Sequence, residues 1–127
     1  MKNNRPLSLA DHRLMNLVWD HEPLSSRRLS ELAEDQLGWK RTTTYTVLKR
    51  LCDKGCLQNK STIVTSLVDR ETVQRTDGQD LLDRSFGGSL PSFLAAFLKA
   101  GSVSDQEADE IQKLLADYRD QHKESAP

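Results

Sequence analysis

Lys40-Arg41-Thr42-Thr43-Thr44-Tyr45-Thr46-Val47-Leu48-Lys49-Arg50-Leu51-Cys52-Asp53-Lys54-Gly55 is the stretch on which the fold turns. Thr44, Val47, Leu48, Leu51 and Cys52 recur at helical spacing and mark one inward face. The remaining positions, Lys40, Arg41, Thr42, Thr43, Tyr45, Thr46, Lys49 and Arg50, carry four cations and no acid before Asp53. The spacing predicts a helix that begins at Thr42 or Thr43 and stops at Gly55. Lys54 is well placed to meet the partial negative charge of the helix C-terminus.

Two helices are predicted upstream. Ser8 opens the first, with Asp11 three residues on in the capping-box position. Leu14, Leu17 and Val18 share a face, flanked by Met15 and Trp19, and Pro23 ends the helix. Ser25 or Ser26 opens the second; Leu29, Leu32, Ala33 and Leu37 are its apolar side, and Gly38 is its stop. Downstream the period changes. Cys56-Leu57-Gln58 reads as a short strand, Asn59-Lys60-Ser61-Thr62 as a turn, and the β-branched run from Ile63 to Val68 as a second strand. Three helices followed by a hairpin make a winged helix-turn-helix.

The rest reads as helical. Asp69 is a cap, Leu81, Leu82 and Phe86 are apolar positions, and Gly78 is a candidate interruption. Gly87-Gly88-Ser89 breaks the pattern. A helix from about Leu90 to Lys99 carries Phe93, Leu94, Phe97 and Leu98. Ser104-Asp105-Gln106-Glu107 matches a capping box ahead of Ala108, Ile111, Leu114, Leu115 and Tyr118. The tail from Gln121 to Pro127 is polar. The fold class is therefore mainly α with a small β-hairpin: a winged helix-turn-helix followed by a C-terminal helical region.

Charge divides the chain. Residues 1–76 hold 13 Lys/Arg against 9 Asp/Glu, and residues 77–127 hold 5 against 10. The basic front suits a polyanion and the acidic rear does not. No stretch approaches the roughly 20 apolar residues of a membrane span, and the start leads into no apolar run, so the expectation is a cytoplasmic protein with no membrane partner. Cys52 and Cys56 read as reduced, partly buried residues, and two thiolates alone make an incomplete zinc site. Trp19 and Trp39 read as core, and His12, His21 and His122 as surface. No nucleophile elbow, phosphate loop or His-Glu metal motif occurs, which argues against an enzyme and calls for no cofactor and no metal.

In a winged helix the third helix enters the major groove, so its outer face must meet base edges and phosphates. Threonine hydroxyls reach phosphate oxygens, and threonine methyls can touch thymine methyls. The candidate DNA-binding residues are Lys40, Arg41, Thr42, Thr43, Tyr45, Thr46, Lys49 and Arg50, with Lys60 at the hairpin tip. Arg27 and Arg28 at the start of the second helix could reach the backbone on one flank. The competing reading is a winged-helix protein-interaction adaptor without DNA contact.

The run Ser8 to Trp19, then Trp39, then Thr43 to Leu51 closing with Lys54-Gly55, resembles the penicillinase-repressor family (BlaI/MecI/CopY type). Leu82-Asp83-Arg84-Ser85-Phe86-Gly87-Gly88-Ser89-Leu90 is similar to that family's C-terminal signature. The resemblance covers roughly residues 7–118. It implies a homodimer on double-stranded, pseudo-palindromic operator DNA, repressing a resistance or homeostasis operon under an upstream sensor that the sequence does not name. It implies that Thr43, Tyr45, Thr46 and Arg50 face DNA. It also implies that Leu82, Phe86, Leu90, Phe93, Leu94, Phe97, Leu98, Ile111, Leu115 and Tyr118 pair two subunits. On this reading residues 1–70 form the DNA-binding domain and residues 71–127 the dimerisation domain. The wing stretch Lys60 to Ser66 lacks the Arg and Tyr common in the family. Ala96-Phe97 stands where β-lactam-responsive members have a cleavable Asn-Phe bond. No cysteine follows Cys56, unlike the cysteine cluster of copper-responsive members.

Overall fold

The computed structural model describes residues 7–123. The expectations for the opening segment 1–6 and for the tail beyond residue 123 lie outside them. The described chain runs α1 (Leu9–His21), β1 (Leu24–Ser25), α2 (Ser26–Leu37), α3 (Arg41–Asp53), β2 (Leu57–Lys60), β3 (Ile63–Ser66), α4 (Arg70–Ser85), α5 (Leu90–Lys99) and α6 (Asp105–His122). It forms two compact units, divided between Gly78 and Gln79 within α4.

Local chemistry sets the helix ends of the first unit. The Ser8 hydroxyl accepts from the Asp11 amide at 3.1 Å and the Asp11 carboxylate accepts from the Ser8 amide at 3.0 Å, so both halves of the capping box are made. Ser25 caps α2 through the Arg28 amide at 2.9 Å, and Gly38, at φ +68°, closes it in the left-handed conformation. No side chain caps α3 at Lys40, and the helix starts at Arg41, one residue earlier than its threonines suggest.

The three helices and the hairpin close over a single core. Leu14, Met15 and Val18 of α1, Leu29 and Ala33 of α2, Leu51 of α3 and Val64 of β3 are all fully buried. Leu24, Leu57, Val47 and Leu48 join them, with Trp19, Trp39, Tyr45, Cys52 and Cys56 packed around the edge. Thr44, on the same face of α3, is fully buried as well. Pattern and structure agree here because an amphipathic helix has one low-energy way to face a core.

The hairpin differs in detail from its sequence reading. Its strands reach Lys60 and Ile63, which pair directly, leaving a two-residue turn. Ser61 and Thr62 take φ of +52° and +66°, the twist that matches two paired strands. Asn and Gly are the usual residues there, so nothing in Ser-Thr announced so tight a turn. A third strand, β1, was not expected. Its two residues pair with the free edge of β3, giving the order β1-β3-β2. The Glu22 carboxylate secures the far end of β3 by accepting from the Ser66 amide and hydroxyl at 2.8–2.9 Å.

The first half of α4 is tied to α1. Asp69 caps it through the amide and hydroxyl of Thr72. Arg70 donates to Asp20 at 2.7 Å and to the Asn16 carbonyl at 3.2 Å, and its guanidinium lies 5.2 Å from the centre of a Trp19 ring. The Trp19 indole donates to the Val68 carbonyl at 3.1 Å. His12, expected as surface, is half-buried, with Nε2 2.7 Å from Asp77. Gly78 does not interrupt α4: sixteen residues run through it, since a helical glycine costs only about 1 kcal/mol relative to alanine.

In the second unit, Ser89 caps α5 and Ser104 makes a full capping box with Glu107 at the start of α6. Phe86 meets Phe93 edge-on at 5.3 Å, and Phe93 meets Phe97 at 5.0 Å. No residue described in α4, α5 or α6 is buried.

Truncating Leu51→Ala, at the fully buried centre of α3, is expected to lower the unfolding free energy by about 2–5 kcal/mol. Urea unfolding followed by circular dichroism measures it.

Candidate nucleic-acid interface

One side of α3 faces solvent and the other is core. Thr42, Thr43, Thr46, Lys49 and Arg50 are exposed, whereas Thr44, Val47, Leu48 and Leu51 are buried. Thr43, Thr46 and Arg50 follow one another at spacings of three and four and so form one row, with Thr42 and Lys49 beside it. The hydroxyl of Thr46 donates back to the Thr42 carbonyl at 2.9 Å. That bond holds the hydroxyl of an otherwise exposed side chain against the helix backbone.

Lys40 and Arg41 are exposed at the entry to the helix. Tyr45 is placed differently from its neighbours: it is half-buried, it packs against the core, and the Arg41 guanidinium sits 5.7 Å from its ring centre. It lies on the flank of the solvent-facing row. Lys60 is exposed and ends β2, one residue short of the turn. Arg27 and Arg28 are exposed, but both lie within 4 Å of the Glu31 carboxylate, which offsets part of their charge.

Arg50 is not simply outward. Its Nε and Nη2 donate to Asp11 Oδ1 at 3.0 and 2.7 Å. Lys54 donates to Oδ2 of the same carboxylate at 2.8 Å. With the Ser8 amide, Asp11 therefore accepts four hydrogen bonds, two on each oxygen. Asp11 is fully buried and the Lys54 side chain is only 7% exposed, while the Arg50 side chain is 42% exposed. Sequence reading gave Asp11 its cap and Lys54 its helix end; it missed that both belong to one charge cluster, because the residues are 39 and 43 positions apart.

Burial by itself would raise the Asp11 pKa. The bonds from Lys54, the Ser8 amide and Arg50 outweigh it and bring the pKa down from 3.8 to about 2. Cys52, on α3, moves the other way: burial, aided by the charge of Asp53, pushes its thiol up, which disfavours the reactive thiolate. Among the described residues, no group of three His, Cys, Asp or Glu is placed to hold a metal ion, and no helix is long and apolar enough to cross a membrane.

The penicillinase repressor family profile matches residues 7–117. The chain belongs to the penicillinase repressor family. The family is one of DNA-binding winged-helix transcription repressors, not of enzymes. The chain is 24% identical over 128 residues to the penicillinase repressor of Bacillus licheniformis, covering 98% of this chain and all of that one. It is 24% identical over 113 residues to the methicillin resistance regulatory protein MecI of Staphylococcus aureus, covering 86% and 92% of the two. The solution structure of the DNA-binding domain of the repressor BlaI aligns at 24% identity with a TM-score of 0.48, covering 55% of this chain and 90% of that one.

The depressed pKa of Asp11 carries a definite sign. A carboxyl whose folded pKa lies below its unfolded value stabilises the fold fully above the unfolded value of 3.8, and that contribution is lost as pH falls towards the folded value of about 2. The difference corresponds to about 2 kcal/mol. Urea titrations between pH 6 and pH 2 are expected to show this loss in the native chain and not in Asp11→Asn, which has no carboxyl to titrate.

Proposed function

We propose that this chain is a homodimeric repressor that reads a pseudo-palindromic operator through α3 and controls a resistance or homeostasis operon. The observation that carries the DNA half is the solvent-facing row of Thr42, Thr43, Thr46, Lys49 and Arg50 on a helix whose opposite side is locked into the core. A rigid rod with hydroxyls, methyls and cations on its free side matches what a major groove offers. Lys49 and Arg50 supply phosphate attraction, and the threonines supply contacts to phosphates and base edges. Lys40 and Arg41 extend the cationic side to the N-terminal end of the helix, and Lys60 places one more cation on the wing.

The dimer half rests on the second unit. Leu90, Phe97, Leu98, Leu115 and Tyr118 are exposed, with Leu114 at 69% among the most open apolar side chains. Leu82, Phe86, Phe93, Leu94 and Ile111 are only half-buried. Helices of this length are marginal alone, and an apolar set with no core of its own gains most by meeting another apolar surface. A second copy offers the same set under two-fold symmetry, and two-fold symmetry is what a pseudo-palindrome requires. The proposed division is therefore a DNA-binding domain at residues 1–70 and a dimerisation domain at residues 71–127. MecI is by name a methicillin resistance regulator; we assign this chain the same kind of regulatory role, with its inducing signal supplied by an upstream sensor.

An electrophoretic shift with a duplex covering the chain's own promoter, repeated from about 50 to 200 mM salt, tests the DNA reading. Affinity is expected to fall steeply with salt, because each neutralised phosphate releases counterions. A protein that acts only as an adaptor gives no specific shift. Sedimentation tests the pairing: a dimer is expected at micromolar concentration. Leu98→Glu with Leu115→Glu is expected to give a monomer whose first unit still folds and whose operator affinity is lower. A native chain that sediments as a monomer removes the two-fold model.

A further inference from the structure

The Arg50 guanidinium has two sides with different surroundings. One edge, Nε and Nη2, is held on a single oxygen of Asp11. The third nitrogen, Nη1, bonds no other described residue, and the side chain remains 42% exposed. Arginine is the one side chain that can do this, since its donors form a rigid planar fork and part of the fork can be spent inward while the rest points out. Asp11 itself cannot shift to follow Arg50. It is fully buried, and its other oxygen is held by Lys54 at 2.8 Å and by the Ser8 amide at 3.0 Å. The anchor is therefore held independently of Arg50 by two donors, and the guanidinium it orients belongs to the same exposed row as Thr43 and Thr46.

We infer that Asp11, a residue that cannot touch DNA, is a positioning residue for DNA reading: it aims Arg50 so that the outer edge of the guanidinium meets a backbone phosphate. This rests on the reading of α3 as the DNA-facing helix. The consequence is specific. With Nε and one Nη2 hydrogen spent on Asp11, Arg50 has only its Nη1–Nη2 end left for the duplex, and that end is assigned to a backbone phosphate. Its role is to fix the register of α3 on the duplex, which makes the threonine contacts possible. The residual charge favours this arrangement: two cations share one carboxylate, so the cluster as a whole remains positive and attracts a further anion.

The experiment compares the full-length chain with Asp11→Asn, Arg50→Ala, the double variant and Arg50→Lys. Each is tested for binding to a duplex covering its own promoter and to a random duplex of equal length, across a salt series. Circular dichroism verifies folding. Arg50→Ala is expected to weaken promoter binding about 10-fold and to lower the magnitude of the salt slope by about one. Asp11→Asn is expected to give a similar loss on the promoter and much less on the random duplex, with no further loss when added to Arg50→Ala. A purely structural role for Asp11 would instead add to the Arg50→Ala effect and leave the salt slope unchanged. Arg50→Lys keeps the charge, but a single ammonium cannot hold Asp11 by a fixed edge, so it is expected to lose as much as Arg50→Ala; this arm decides the matter if Asp11→Asn fails to fold. Full promoter affinity in Arg50→Lys, or additivity in the double variant, overturns the inference. A native chain that binds the promoter while all folded variants match it defeats this inference alone, whereas a native chain without any specific shift takes the DNA reading down with it.

Discussion

A single buried carboxylate ties α3 to α1. Asp11 sits in the first turn of α1 with no exposure to solvent, and it joins the cap of that helix to the last two turns of α3. A buried charge is tolerable only when its lone pairs are filled, and here each oxygen accepts two hydrogen bonds. The arrangement is more directional than apolar packing. Leucines on α3 specify which face turns inward, but they allow small slides and rotations; a carboxylate with four fixed donors does not. On the proposed reading of α3 as the DNA-facing helix, that restriction of register matters more than the modest net stability of an ion pair.

The two units stand in contrast. The first has a closed core built from three helices and three strands, and its exposed surface is polar and cationic where α3 lies. The second has well-capped helices, aromatic side chains in mutual contact and, among the described residues, none that is buried. The same chemistry accounts for both. Apolar side chains at helical spacing demand a covering surface; in residues up to about 78 the chain supplies it itself, and beyond that Leu90, Phe97, Leu98, Leu114 and Leu115 remain exposed. The charge distribution runs parallel, with the surplus cations in the part that closes on itself and the surplus acids in the part that does not.

Much of this was legible along the chain. The caps at Ser8, Ser25, Asp69 and Ser104 are local, each made by a residue and an amide three positions on. The apolar face of α3 and the burial of Thr44 followed from spacing. What escaped notice was non-local or atypical. β1 is two residues long and exists because β3 has a free edge beside it. The Ser61-Thr62 turn lacks the glycine that normally marks such a turn. His12 met Asp77 across 65 positions, and Tyr45 turned to the core flank although its place in the helix read as outward.

The amino-acid order alone determined the succession of the helices and the hairpin, the main apolar side of each helix and the cationic character of the third, because these depend on periodicity and on contacts within one turn. Tertiary structure decided which charges are spent inside the fold and which remain for a partner. Arg50 and Lys54 look alike beside their neighbours in sequence. Only the approach of α1 separates them, burying Lys54 against Asp11 and leaving Arg50 half in solvent, since the strength and direction of an ion pair depend on distance and exposure that no local pattern encodes.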